Sequence, residues 1–93
     1  MVMETETYKE TQQLFRTVLR TSKYDSMFLY FILESNEGLC YFSTLESSLG
    51  TSYRDIDIHC SIELKQTLLK VLEHIGKSIE FEVLLEETVK DSL

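Results

Sequence analysis

Positive charge is scarce in this chain: nine lysines and arginines stand against sixteen aspartates and glutamates in 93 residues, a formal net charge of −7. Nucleic-acid affinity rests on neutralising phosphates, so an acidic chain of this kind is not expected to bind nucleic acid. Anionic membrane surfaces are disfavoured by the same sign. Long apolar runs are also lacking. The longest, Met27 to Leu33, is seven residues, against the roughly 20 that a membrane-crossing helix requires. Cysteine is limited to Cys40 and Cys60, too few for a disulfide framework and not spaced as metal ligands, so free thiols in a reducing cytoplasm are expected. The opening residues, Met1 to Glu10, are acidic and polar, unlike a signal peptide. Phosphate-binding loops, metal-ligand spacings and catalytic signatures are missing as well, so no cofactor, no metal and no enzymatic activity are expected.

What is present is the composition of a globular domain. The hydrophobic share is 43%, spread over Leu, Ile, Phe and Val, and the length suits one domain with a single core. Residues 1–11 carry three threonines and three glutamates without an apolar period, and read as a polar N-terminal tail. From Leu14 to Thr21 the residues alternate. Phe15, Thr17 and Leu19 fall on one side and Arg16, Val18 and Arg20 on the other, the pattern of a strand. Ser22-Lys23-Tyr24-Asp25 has the form of a capping box opening a helix. Tyr24, Met27, Phe28, Phe31 and Ile32 follow at helical spacing, and Gly38 offers a left-handed stop. The run is apolar nearly all round, so a strand over Met27 to Leu33 is the alternative.

Leu39 to Leu45 reads as a second strand, followed by a turn-rich loop to Ser52. Tyr53 to Cys60 alternates cleanly, with Ile56, Ile58 and Cys60 against Asp55, Asp57 and His59. Ser61 is expected to cap a second helix carrying Leu64, Leu68, Val71, Leu72 and Ile75 on one face and ending at Gly76. Ile79, Phe81, Val83 and Leu85 alternate with Glu80, Glu82 and Leu84 as a fourth strand, leaving 87–93 as a tail and 12–86 as the domain.

The order β-α-β-β-α-β predicts an α+β, ferredoxin-like sandwich: a four-stranded antiparallel sheet, order 4-1-3-2, with two helices on one face. Charge supports that order independently. Arg16 and Arg20 on the first strand would lie between two acidic strands, one bearing Asp55 and Asp57, the other Glu80 and Glu82. Opposite charges across strands contribute roughly 0.2–1 kcal/mol per pair, and like charges cost similar amounts. With hairpin pairing of equal parity, Cys40, Phe42 and Thr44 face the helices, while Leu39, Tyr41, Ser43 and Leu45 share the open face with Tyr53. The expected buried set is Phe15, Leu19, Phe42, Ile56, Ile58, Leu68, Leu72, Phe81 and Val83.

The segments Phe31-Ile32-Leu33-Glu34, Gly38-Leu39 and Ser43-Thr44-Leu45-Glu46 resemble the core of a bacterial family of small domains of unknown function. The likeness spans Leu14 to Val83. It implies a compact bacterial cytosolic domain, carries over Glu34, Gly38 and Thr44, and attaches no activity to them.

The chemistry-bearing residues have structural readings beside the functional ones. His59 and Cys60 are strand neighbours pointing to opposite faces, so they cannot share one ligand sphere. His74 suits the C-terminal turn of its helix. Asp55 and Asp57 could bind a cation or act as an acid/base pair, but the arginine strand beside them accounts for both as ion pairs. Signatures of other proteins with this topology are absent. The first strand-helix junction, Thr21-Ser22-Lys23, holds neither the arginine-bearing glycine loop of an acylphosphatase nor the cysteine pair of a copper chaperone. An RNA-recognition motif would need basic residues around Tyr41 and Tyr53, where acids stand instead. The expectation is therefore a non-enzymatic interaction module, self-associating as a homodimer or binding a protein partner. Its open face would comprise Arg16, Val18, Arg20, Tyr41, Tyr53, Asp55, Asp57 and His59. The alternative is a regulatory domain sensing a small ligand such as an amino acid near the first strand-helix junction.

Overall fold

Alternating residues become strands and helically spaced ones become helices in the computed structural model, which describes residues 12–91. The elements are β1 (Gln12–Ser22), α1 (Lys23–Ser35), β2 (Tyr41–Thr44), β3 (Tyr53–Ser61), α2 (Lys65–Ile75) and β4 (Phe81–Asp91). Short 3-10 turns at Glu46–Ser48 and Ile62–Leu64 interrupt the connections. The sheet runs β2-β3-β1-β4, which read from the β4 edge is 4-1-3-2, and every neighbouring pair is antiparallel. β1 is thus interior, as the charge pattern required. The N-terminal tail expected over 1–11 lies outside the described residues.

Helix α1 starts where its cap dictates. The Ser22 hydroxyl accepts from the Asp25 amide at 2.9 Å, satisfying one of the orphan donors of the first turn. It ends at Asn36, whose side-chain amide donates to the Ile32 carbonyl at 2.8 Å. Gly38, at φ +82°, then makes the left-handed turn into β2. One core results. Leu29 and Leu33 from α1 and Leu68, Leu72 and Ile75 from α2 pack with Phe15, Leu19, Ile56, Ile58 and Cys60 of the sheet. The two helices therefore share a face, opposite Arg16, Val18 and Arg20.

Several expectations are corrected. β4 does not stop near Leu85. It continues to Asp91 and pairs with β1 as far as Gln12, so residues 87–91 belong to the sheet and not to a tail. A bulge makes this register work: Val18 faces Leu85 while Leu19 faces Val83, leaving Leu84 as the extra residue. Beyond it the faces exchange, which turns Leu85, Glu87 and Val89 toward the open side. Two threonines of β1 brace this edge, Thr17 donating to the Leu85 carbonyl and Thr21 to that of Glu80, each at 2.8 Å.

Val83 is exposed, and Phe42 and Phe81 are half-buried against the core instead of within it, because β2 and β4 are edge strands that the helices cover only in part, Tyr30 of α1 stacking on Phe42. Leu39 is in the core and not on the open face, since β2 begins only at Tyr41 and the preceding loop folds Leu39 inward. Ser61 makes no side-chain cap, as the 3-10 turn separates it from α2. Gly76 is right-handed, at φ −62°, not the left-handed stop expected, and a Cβ there would meet its neighbours only at ordinary contact distance.

Cys40 and Cys60 are free. Burial pushes the Cys40 thiol up to about 11 and raises that of Cys60 as well, so both are poor nucleophiles near neutrality. Non-reduced protein should show two titratable thiols after denaturation and very slow labelling of either while folded. A count of zero in anaerobically prepared protein would overturn the free-thiol assignment.

Candidate interaction surfaces

Two surfaces hold groups that a partner or ligand could use: the helix-free face of the sheet and the outer face of α1. On the sheet face, register sets Arg20 opposite Asp55 and Arg16 opposite His59 and Glu87. Arg20 grips Asp55 with two bonds, Nε to Oδ1 at 2.8 Å and Nη2 to Oδ2 at 3.0 Å, the fork geometry that suits a carboxylate. Its guanidinium also lies 4.0 Å from the centroid of the Tyr53 ring. Arg16 reaches diagonally to Asp57, Nε to Oδ1 at 2.9 Å and Nη2 to Oδ2 at 3.3 Å, and across to Glu87 Oε2 at 3.1 Å. His59 Nε2 is 3.1 Å from Asp57 Oδ1, and the Tyr41 ring stacks on the imidazole with centroids 5.3 Å apart.

These contacts set the local titration. Burial works to raise the Asp57 carboxyl, but hydrogen bonds from Arg16 and His59 outweigh it and hold the group below its ordinary range. The same bonds, from Arg16 to Asp57 and Glu87 and from Arg20 to Asp55, raise both guanidinium groups further above theirs.

All eight residues expected on this face are there, yet they are committed to one another. Asp55 is buried beneath its arginine, and Val18, set between Arg16 and Arg20 along β1, is only 5% exposed. Of the acids expected on β4, Glu82 stands opposite Arg20 and Glu80 precedes the strand. The β4 acid that bonds Arg16 is Glu87, from the segment expected to be a tail. Its signal was the Glu86-Glu87 pair, which presents an acid to Arg16 in either register.

The outer face of α1 is different in kind. Tyr24 is 84% exposed, Met27 69%, Phe28 39% and Phe31 66%. These positions recur at i, i+3, i+4 and i+7, the stripe that would ordinarily pack inward. Here Ser26, Leu29 and Leu33 take the inward side, helped by the Ser26 hydroxyl, which donates to the Lys23 carbonyl at 2.7 Å. A groove of about 480 Å³ runs beside the stripe between α1 and Ser78-Ile79.

A wider cleft of about 610 Å³ opens where β1 meets α1, with Arg20, Ser22, Tyr53, Glu80 and Glu82 among its walls. Glu34 is exposed at the end of α1. Thr44 is hydrogen-bonded to the Tyr30 hydroxyl, so it and Gly38 have structural duties. Among the described residues no three His, Cys, Asp or Glu side chains are grouped as a metal site would need, and no helix is long and apolar enough to cross a membrane. Comparison with protein-family models, curated proteins and solved structures gives no match to this chain.

Proposed function

We propose that the chain is a non-enzymatic protein-interaction module, a ferredoxin-like sandwich whose working surface is the outer face of α1. The observation that carries this reading is the exposed stripe Tyr24, Met27, Phe28 and Phe31. Four large apolar side chains leave about 500 Å² on one helix face, given that an aromatic presents roughly 150–250 Å². That is the upper end of what monomeric proteins show, and patches of this size mark interaction sites. Strand order, antiparallel pairing and the shared helix face support the ferredoxin-like reading. The sheet face was the expected interface, but its arginines and acids already satisfy each other and Val18 is covered. It offers a partner little unpaired charge, and its largest exposed apolar side chain, Tyr41 at 60%, is already stacked on His59. The poorly ionised thiols fit the cytoplasmic setting that this reading assumes.

In-cell photocrosslinking tests it. A photoreactive phenylalanine analogue at Phe28 should give covalent protein adducts, whereas the same analogue at Tyr41 on the sheet face should give few. Equal labelling at both positions, or none at position 28, would sink the proposal.

The cleft at the β1–α1 junction favours a second reading, a regulatory domain sensing a small ligand such as an amino acid. Its walls combine Arg20 with Glu80 and Glu82, as a zwitterion would need. Thermal-shift screening against amino acids and nucleotides separates the two readings: a dose-dependent rise in Tm supports the sensor, and a flat screen removes it.

A further inference from the structure

We infer that the occupant of this surface is a second copy of the same chain, the two α1 helices packing antiparallel about a two-fold axis. This deepens the interaction-module reading and rests on it. A two-fold interface must be complementary to itself, and the stripe is. Its centre falls between Met27 and Phe28, so an antiparallel pairing sets the partner's Phe31 beside Tyr24 and the partner's Phe28 beside Met27. Apolar residues then meet apolar residues along the whole stripe, with no charge in its middle.

The flanks choose the direction. Lys23 and Glu34 are eleven residues apart, close to three full turns at 3.6 residues each, so they lie on the same side of the stripe. In an antiparallel pair that side meets its own copy. Lys23 then comes within about 3 Å along the axis of the partner's Glu34, and the contact occurs twice. A parallel two-fold pair would instead set that side against the opposite flank of the stripe, where Asp25 and Ile32 lie, and would leave Glu34 with no cation opposite it. Lys23 and Glu34 are both exposed, and neither makes an ion pair among the described residues.

Area agrees with this choice. About 500 Å² from each stripe gives a total near 1,000 Å², where specific interfaces begin, and the groove along Ser78 and Ile79 adds contact at the rim. A copy also brings matched charge without a basic partner.

Ultracentrifugation of the full chain at tens of micromolar should find twice the chain mass of 10.9 kDa. Phe31→Glu should return it to a single chain, with Met27→Glu as a second variant. Both positions are exposed, so folding, checked by circular dichroism, should survive. Tyr41→Glu on the sheet face should leave the dimer intact. Lys23→Glu or Glu34→Lys alone should weaken dimerisation roughly twofold to tenfold, and the two together should restore it. Each swap suits the helix dipole, so neither loss could come from a weakened helix.

A dimer insensitive to Phe31→Glu but lost in Tyr41→Glu would place self-association on the sheet face and overturn both the α1 pairing and α1 as the working surface. Where Phe31→Glu disrupts the dimer, single charge swaps without effect, or a loss that the double swap does not restore, would overturn the antiparallel pairing. A single chain at every concentration, with crosslinks at position 28 to proteins of other mass, would overturn self-association and leave the interaction module standing. A single chain without crosslinks would overturn both.

Discussion

Ile58→Ala should lower the unfolding free energy by about 2–5 kcal/mol. Ile58 is fully buried, flanked in the sheet by Thr17 of β1 and Phe42 of β2, and part of the core that both helices cover. Truncation there removes apolar contact and leaves a cavity that two antiparallel ladders prevent from collapsing. A domain of this length has roughly 5–14 kcal/mol in total, at about 0.05–0.15 kcal/mol per residue. The variant should therefore lose a large share of its stability, with Tm falling about 4–8 °C per kcal/mol. Tyr24→Ala removes a larger side chain but one that is 84% exposed. In dilute protein it should change stability by less than about 0.5 kcal/mol. Urea denaturation at unchanged slope compares the two. An Ile58→Ala loss under about 1 kcal/mol would mean that β3 is not interior, and an equal loss in Tyr24→Ala would mean that α1 is turned the other way.

That contrast marks where sequence pattern stops being informative. Helical spacing identifies α1, and Ser22 marks its start. The run Met27 to Leu33 is apolar nearly all round, however, so spacing alone does not say which face turns inward. Tyr24, Met27, Phe28 and Phe31 form as good a stripe as Leu29 and Leu33. The decision is tertiary: the aliphatic pair with the small Ser26 allows α1 to lie close on the sheet, where four bulkier side chains would hold it off. β3 has no such ambiguity, because Asp55, Asp57 and His59 alternate strictly with Ile56, Ile58 and Cys60, and one slip would bury the charges.

β4 lies between these cases. Alternation breaks at Val83-Leu84-Leu85 and again at Glu86-Glu87, the trace of a bulge. Taken as a strand end instead, the same break cuts the element short and hides Glu87 from Arg16. Strand order was legible all the same, because Asp55 and Asp57 alone require the arginine strand beside them. The sheet face was thus readable residue by residue, while its saturation was not. Alternation places side chains on a face and says nothing of how completely they bond to one another there.

The saturation has its own test. Arg16→Leu should cost about 1–3 kcal/mol at pH 7 by leaving Asp57, half-buried, without its main donor. The loss should fade in acid. The Asp57 carboxyl binds its proton more weakly in the folded chain than in the unfolded one. Its ionised form therefore favours folding above the ordinary aspartate value near 3.9, and that contribution vanishes as pH falls through the lower folded-state value. Wild type should lose this stabilisation on acidification, whereas the variant has little of it to lose, so the difference between them is largest near neutrality and narrows below about pH 4. Glu87 also loses its partner, but it is 38% exposed on the sheet edge, where a lone carboxylate costs little. Leucine keeps an apolar stem beside Val18, so packing changes far less than charge. Urea midpoints at pH 7 and pH 3 read the outcome: a difference of equal size at both would mean that Arg16 serves the sheet through its methylenes over Val18, and that its bonds to Asp57 contribute nothing to stability.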